Sequence, residues 1–307
     1  MQRLCNIVFF IAAALAAASC NYSRIVPGEP LGEYYRPADA NSSVYATKVY
    51  DYTPAPGQFI NDPVSNPYGT KTPAAACTWA KSRLDEKKFV SLGGFGGYII
   101  VGFDHSIVNM GGYDFAVYGN AYSGGSEPGI VWVSQDENGN GEPDDAWYEL
   151  RSSDFYSVYT LRDYSVTYYR PDGPGQDVRW SDSEGQEGTI DYLADYHTQK
   201  YYYPEWIVED EYTLTGTRLK ASNYDQSGNG TYWINPDYGW GYADNYDNVG
   251  NSRFRIGDAL TPDGEAVNLK YIDFIKVQTG VNAKSGWLGE LSTEVLGFED
   301  LSINTRP

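Results

Sequence analysis

The segment Asp136-Glu137-Asn138-Gly139-Asn140-Gly141-Glu142-Pro143-Asp144-Asp145 carries the sharpest chemistry in this chain, the coordination of a hard cation. Oxygen-bearing side chains at its first, third and fifth places turn three oxygens toward one centre, and Gly at the sixth permits the sharp bend that this wrap requires. An EF-hand loop closes with Glu at the twelfth place, where this chain has Trp147. Asp144 or Asp145 has to close the shell instead. The expected metal set is therefore Asp136, Asn138, Asn140, Asp144 and Asp145, holding a structural calcium ion. The competing reading is an Asn/Gly hairpin turn that binds nothing. Asp225 to Gly230 repeats the spacing, but Ser227 is a poor ligand and no carboxylate follows closely, so that segment reads as a tight turn.

Aromatic residues form the second chemical resource. The chain has 29 Tyr and 8 Trp, concentrated in Tyr168-Tyr169-Arg170-Pro171, Tyr201 to Trp206 and Tyr232 to Tyr242. Neighbouring residues of a strand point to opposite faces, so Tyr201-Tyr202-Tyr203 cannot all enter a core. Exposed rings beside Asn and Asp suit a sugar face or another flat, partly apolar ligand. Tyr202, Trp206, Trp233 and Trp240 are the expected contact rings. Catalysis has less to stand on. There is no Gly-x-Ser-x-Gly elbow, and two histidines leave little room for a His-based metal site. His105 reads as a satisfied turn residue and Cys77 as a buried small apolar one. No catalytic residue is assigned, although a carboxylate pair for glycoside cleavage can be imagined among 41 acidic residues.

These groups must be held by a fold, and the chain's beginning says where that fold works. Arg3, the apolar run Ile7 to Ala18 and the small residues before Cys20 describe a secretory signal too short to span a bilayer comfortably. Its end on Cys indicates a lipoprotein signal over 1–19, with lipidation at Cys20, although Ala17 stands where such sites usually carry Leu. An ordinary secretory signal is the alternative. Residues 20–43 read as a flexible lipidated tether. The net charge of −19 argues against nucleic acid or an anionic lipid face as partner. Only Cys77 would remain free in a mature lipidated chain, so no disulfide forms within it.

From Val44 the pattern changes to short β-branched or aromatic runs, including Tyr98 to Phe103, Ile130 to Ser134, Tyr164 to Tyr169, Tyr212 to Leu219 and Tyr271 to Gln278. Asn-Gly and Asp-Gly turns fall between them, which predicts an all-β, single jelly-roll-like β-sandwich over 44–301 with a tail over 302–307. One or two short helices accompany it. Thr72 as N-cap and Pro73 at the first position predict a helix through Leu84, and a second is expected over Ile190 to Tyr196. The glycine-rich Leu92 to Tyr98 lacks the Lys-Ser/Thr of a phosphate loop and leads into a strand, so it marks close backbone approach, not a nucleotide site.

The strings Phe89 to Leu150, Val166 to Trp180, Tyr201 to Ile207, Leu219 to Ile234 and Tyr271 to Val295 resemble a family of exported "cell surface protein" lipoproteins of gut Bacteroidetes. The resemblance implies an outer-membrane, lipid-anchored, cell-surface protein of nutrient uptake, and some relatives look like neighbours of corrinoid (vitamin B12-type) uptake systems. Outward export in that phylum often uses acidic residues after the lipidated Cys, and Asn21-Tyr22-Ser23-Arg24 has none. The resulting expectation is a non-enzymatic lipoprotein that binds a glycan or a corrinoid, with an outer-membrane transporter as a candidate partner. The alternatives are a carbohydrate-active hydrolase or lyase, and an adhesion or scaffold subunit of an uptake complex.

Overall fold

The computed structural model describes residues 30–62, 71–246 and 252–303. The signal segment, Cys20 and the end of the tail lie outside them. In chain order the strands begin with β1 (Lys48–Thr53), β2 (Val90–Ser91), β3 (Tyr98–Val108), β4 (Phe115–Tyr118), β5 (Gly129–Ser134) and β6 (Trp147–Leu150). There follow β7 (Leu161–Tyr169), β8 (Val178–Asp182), β9 (Glu187–Ile190) and β10 (Glu211–Arg218). The last are β11 (Tyr224–Asp225), β12 (Trp233–Ile234), β13 (Arg253–Phe254), β14 (Ala259–Leu260), β15 (Tyr271–Thr279), β16 (Glu294–Val295) and β17 (Gly297–Asp300).

The architecture is all-β and sandwich-like, as the run of short strands predicts. Its main layer is a six-stranded antiparallel sheet in the order β1-β3-β15-β5-β6-β14. Alternation along β15 decides which side is core: Ile275 and Val277 point inward, while Phe274, Lys276 and Gln278 take the other face. Ile99 and Val101 of β3 and Val131 and Val133 of β5 join the inward set. That face packs on the three-stranded sheet β13-β4-β17 through Phe115, Val117, Phe254 and Phe298, and on the β16-β2 pair through Val90 and Val295. Burying each such side chain contributes about 1.5–3 kcal/mol. A four-stranded sheet, β10-β7-β8-β9, builds a second core from Tyr164, Val166, Tyr168, Val178 and Leu214 around Phe95.

Helix α1 (Pro73–Asp85) matches its sequence signals closely: the Thr72 hydroxyl accepts the Ala75 N–H at 3.2 Å. Ala76, Ala80 and Leu84 close the core over β1, and Cys77 sits half-buried at its edge. No helix among the described residues is long and apolar enough to cross a membrane.

Three local expectations are corrected. Residues 190–196 do not form a helix: Ile190 ends β9, and a turn follows in which Tyr196 and His197 N–H both reach Leu193 O. The described end of the tether is docked: Arg36 donates to Phe103 O at 3.0 Å and pairs with Asp273 at 3.0 Å, and Tyr35 packs edge-on against Tyr271. His105 lies in β3, not in a turn, fully buried between Asp104 at 2.7 Å and Asp300 at 2.8 Å. Burial disfavours its charge, but its hydrogen bonds to the Asp300 and Asp104 carboxylates outweigh that and its pKa is raised.

The Leu92 to Tyr98 loop makes the close approach that its glycines suggest. Gly93 has φ of +68°, and a Cβ there would stand 2.0 Å from Ala55 O. Only glycine fits this position.

Candidate functional site

The loop joining β5 to β6 gathers all five predicted metal residues. Asp136 is buried and its two carboxylate oxygens accept Gly139 N–H at 2.7 Å and Gly141 N–H at 2.9 Å. Asn138 Nδ2 donates to Asp144 at 3.1 Å and to Asp145 at 3.3 Å, and Asn140 Nδ2 donates to Asp144 at 3.0 Å. Both asparagine amides therefore face carboxylates, while their oxygens accept the Asn140 N–H at 2.9 Å and the Glu142 N–H at 2.8 Å. Asp225 to Gly230 forms the β11–β12 hairpin turn, closed by Gly230 N–H and Ser227 N–H on the Asp225 carboxylate.

The four predicted contact rings do not come together. Tyr202 and Trp206 are buried, at 0% and 2% exposure, and offer no face to a ligand. Trp206 lies beside Tyr52 in the main core with centroids 5.8 Å apart. Tyr202 is a post: its hydroxyl accepts Leu193 N–H at 3.1 Å and donates to His197 O at 2.9 Å, so it holds the turn that displays Tyr196. The Pro204 bend takes the Tyr-rich run inward, which is why alternation misassigns these two. Trp240 is half-exposed and stacks instead with Arg151, 5.7 Å from the ring centroid.

Trp233 does belong to an open aromatic surface, with partners the sequence did not single out. It is half-buried in β12, and its pyrrole edge presses so closely on Gly286 that a Cβ there would be 2.4 Å from Cδ1. The next residue, Trp287, is 54% exposed and pairs with Tyr196, 66% exposed, at 4.8 Å between centroids and 32° between planes. The turn that carries Trp287 is clamped on both sides. Lys284 pairs with Asp191 at 2.6 Å, and the Ser285 hydroxyl donates to Asn235 at 2.9 Å. Tyr122, 70% exposed, stands on the adjoining loop, where Ser126 N–H donates to Asn235 O. A Trp bounded by Gly286 and Gly289 in a polar stretch was the available signal, since a ring carried on a tight turn has no strand face to hide behind.

Beneath this surface lies a group that no local motif announces. Glu127, Asp244 and Glu294 come from three distant segments, and one oxygen of each lies within 4.8 Å of the others. Asp244 and Glu294 are buried and Glu127 is half-buried. Asp244 accepts Asn120 and Ala121 N–H at 2.8 Å each with one oxygen and Glu294 N–H at 2.8 Å with the other. The network thus fixes the root of the Tyr122 loop. No salt bridge reaches any of the three among the described residues. Burial raises all three pKa values; repulsion from Glu294 adds to it for Glu127 and Asp244, whereas hydrogen bonds with Ser292 and Glu127 oppose it for Glu294. Nearby Glu290 is pushed up to about 8, chiefly by burial.

No protein-family model matches this chain, and no curated protein matches it.

Proposed function

We propose that this chain is a surface-anchored lipoprotein that captures a glycan without transforming it. The observation that carries the reading is the Tyr196–Trp287 pair: two large rings, more than half exposed, on turns fixed by hydrogen bonds and an ion pair. Rings held open in this way lose little entropy on binding and offer the flat apolar face that a sugar ring stacks on. Trp233 extends the surface, and Asn235 and Lys284 place polar groups at its edge. An open surface of this kind favours a glycan over a corrinoid, which needs a concave site that buries most of the ligand.

Two further elements complete the reading. The loop Asp136 to Asp145 binds calcium in a structural role, with the Asn138 and Asn140 oxygens and the three aspartates as ligands. The contacts of Asn138 with Asp144 and Asp145, that of Asn140 with Asp144, and the left-handed glycines at 139 and 141 support it. Lipid at Cys20 tethers the protein to the outer membrane on the cell-surface side, which rests on the signal-like first residues and the family resemblance. Acting beside an outer-membrane transporter would make it a capture subunit for uptake.

The test is a thermal-shift screen of the soluble chain, in calcium, against host and plant glycans and cyanocobalamin. A concentration-dependent shift with a glycan is the expected result. A shift with cyanocobalamin alone would replace the glycan by a corrinoid, and no shift at all would favour a scaffold whose partner is another protein.

A further inference from the structure

We propose that the face of the six-stranded sheet turned away from the main core, partly covered by β10, holds a second binding site, in which Lys276, Trp132 and Glu149 receive an acidic saccharide through its carboxylate. Strand register sets these residues in one row. Lys276 stands opposite Ile100 of β3 on one side and Trp132 of β5 on the other, and Trp132 stands opposite Glu149 of β6. Neighbouring strands lie roughly 4.8 Å apart, so a lysine and a glutamate flank one tryptophan along the row. Ser134 and Trp147 form the next row on the same face.

Polar atoms in this row lack hydrogen-bond partners. Lys276 Nζ lies 4.8 Å from the Tyr98 ring centroid and 5.7 Å from that of Trp132, and it makes no hydrogen bond or salt bridge among the described residues. Asp51, the nearest acidic influence on it, is occupied by the Tyr98 hydroxyl at 2.8 Å and the Thr53 hydroxyl at 2.8 Å. Trp132 Nε1, Ser134 Oγ and Glu149 Oε1 are shielded from solvent and also have no hydrogen-bond partner. Glu149 is only 3% exposed, and its other oxygen accepts the Thr217 hydroxyl at 2.5 Å. Unpaired buried polar groups are unfavourable until something supplies their bonds.

The chemistry of the missing partner follows. A cation held by aromatic rings but by no carboxylate, beside an indole N–H, asks for an acceptor-rich anion, which sets this spot apart in a chain of net charge −19. Half-buried Tyr98, Trp132 and Trp147 leave the face reachable and give a ring something to stack on. Glu149 and Ser134 suit hydroxyl groups. Burial brings the Lys276 amine down to about 8 and the Glu149 carboxyl up to about 7, so near neutral pH the amine keeps its charge and the carboxyl can donate. A hydroxylated ring with an apolar C–H face and a carboxylate, such as a uronate residue, meets all four demands. The saccharide class rests on the proposed function; the carboxylate rests on Lys276 alone.

The test titrates an oligogalacturonate and a neutral galacto-oligosaccharide into wild type, Lys276→Met, Lys276→Arg and Trp287→Ala by calorimetry. The acidic ligand should bind wild type about tenfold tighter, as one charge-assisted contact provides. Lys276→Met should remove that preference, Lys276→Arg should keep it, and Trp287→Ala should weaken the neutral ligand while the acidic one still binds through Lys276. On the wild-type protein, the Lys276 ε-methylene NMR resonance should shift as the acidic ligand is added, a readout that needs no variant to fold. Equal affinity for both ligands, a preference that survives Lys276→Met, or an unmoved resonance would overturn the acidic site. Trp287-dependent binding of the neutral ligand would then still leave the glycan reading standing, whereas no binding of either ligand would overturn both.

Discussion

Replacing Glu290 by Gln should remove a defined part of the pH dependence of stability. Glu290 is 2% exposed; one oxygen accepts Gln58 N–H at 2.8 Å, and the other is buried without a partner. Burial first, then the charges of Glu294 and Asp191, pushes its pKa up to about 8 against an ordinary value of 4.5. A carboxyl raised on folding gives stability that is fully present below its unfolded pKa and is lost as pH climbs through the folded one. Between about pH 5 and about pH 7 the native state holds a proton that the unfolded state has released. Wild type therefore loses roughly 1.4 kcal/mol per pH unit from this group, or about 3 kcal/mol across the window. Gln keeps the shape and the oxygen facing Gln58 but has nothing to titrate. Urea unfolding of both proteins across that window should show wild type falling relative to the variant by that amount. In thermal melts the same difference is roughly 5–10 °C. Parallel pH profiles would refute the reasoning, because they would mean that Glu290 is ionised in the folded protein.

The remaining predictions are quickly stated. EDTA should lower the melting temperature, since calcium at a hundred times its Kd adds about 2.7 kcal/mol, and Asp136→Ala should abolish that sensitivity; a melting temperature indifferent to EDTA would remove the calcium loop from the account. Trp206→Ala should cost about 3–5 kcal/mol as a core truncation, while Trp287→Ala should change stability by only about 0.5 kcal/mol. Comparable losses in denaturant titrations would contradict the assignment of one ring to the core and the other to the surface.

Much of the fold was legible in the sequence because β-branched and aromatic runs between Gly, Asn and Asp leave few other options. The capped helix at Thr72 was equally clear, since its cap, its proline and its apolar face all agree. Within the Asp136 to Asp145 loop, Asn138, Asn140, Asp144 and Asp145 meet by sequence proximity alone. Tyr202 and Trp206 were not legible as core, because the bend at Pro204 that turns them inward depends on contacts with Leu193, His197 and Tyr52. The Glu127–Asp244–Glu294 cluster was invisible for a related reason: its members are separated by more than a hundred positions and then fifty, and only the folded topology joins them. The Lys276–Trp132–Glu149 row likewise exists only once three strands are in register.

The most direct test of the central claim is calorimetric titration of the glycan that gives the largest thermal shift into wild type and into a Tyr196→Ala/Trp287→Ala double variant. Base rings stacked against a ligand contribute about 1–3 kcal/mol each when nucleic acids bind, and sugar faces should gain a similar order from these two rings. The account predicts that the double variant melts as wild type does yet loses about tenfold or more in affinity. Unchanged affinity in a well-folded double variant would contradict it, and would show that the Tyr196–Trp287 surface does not hold the ligand.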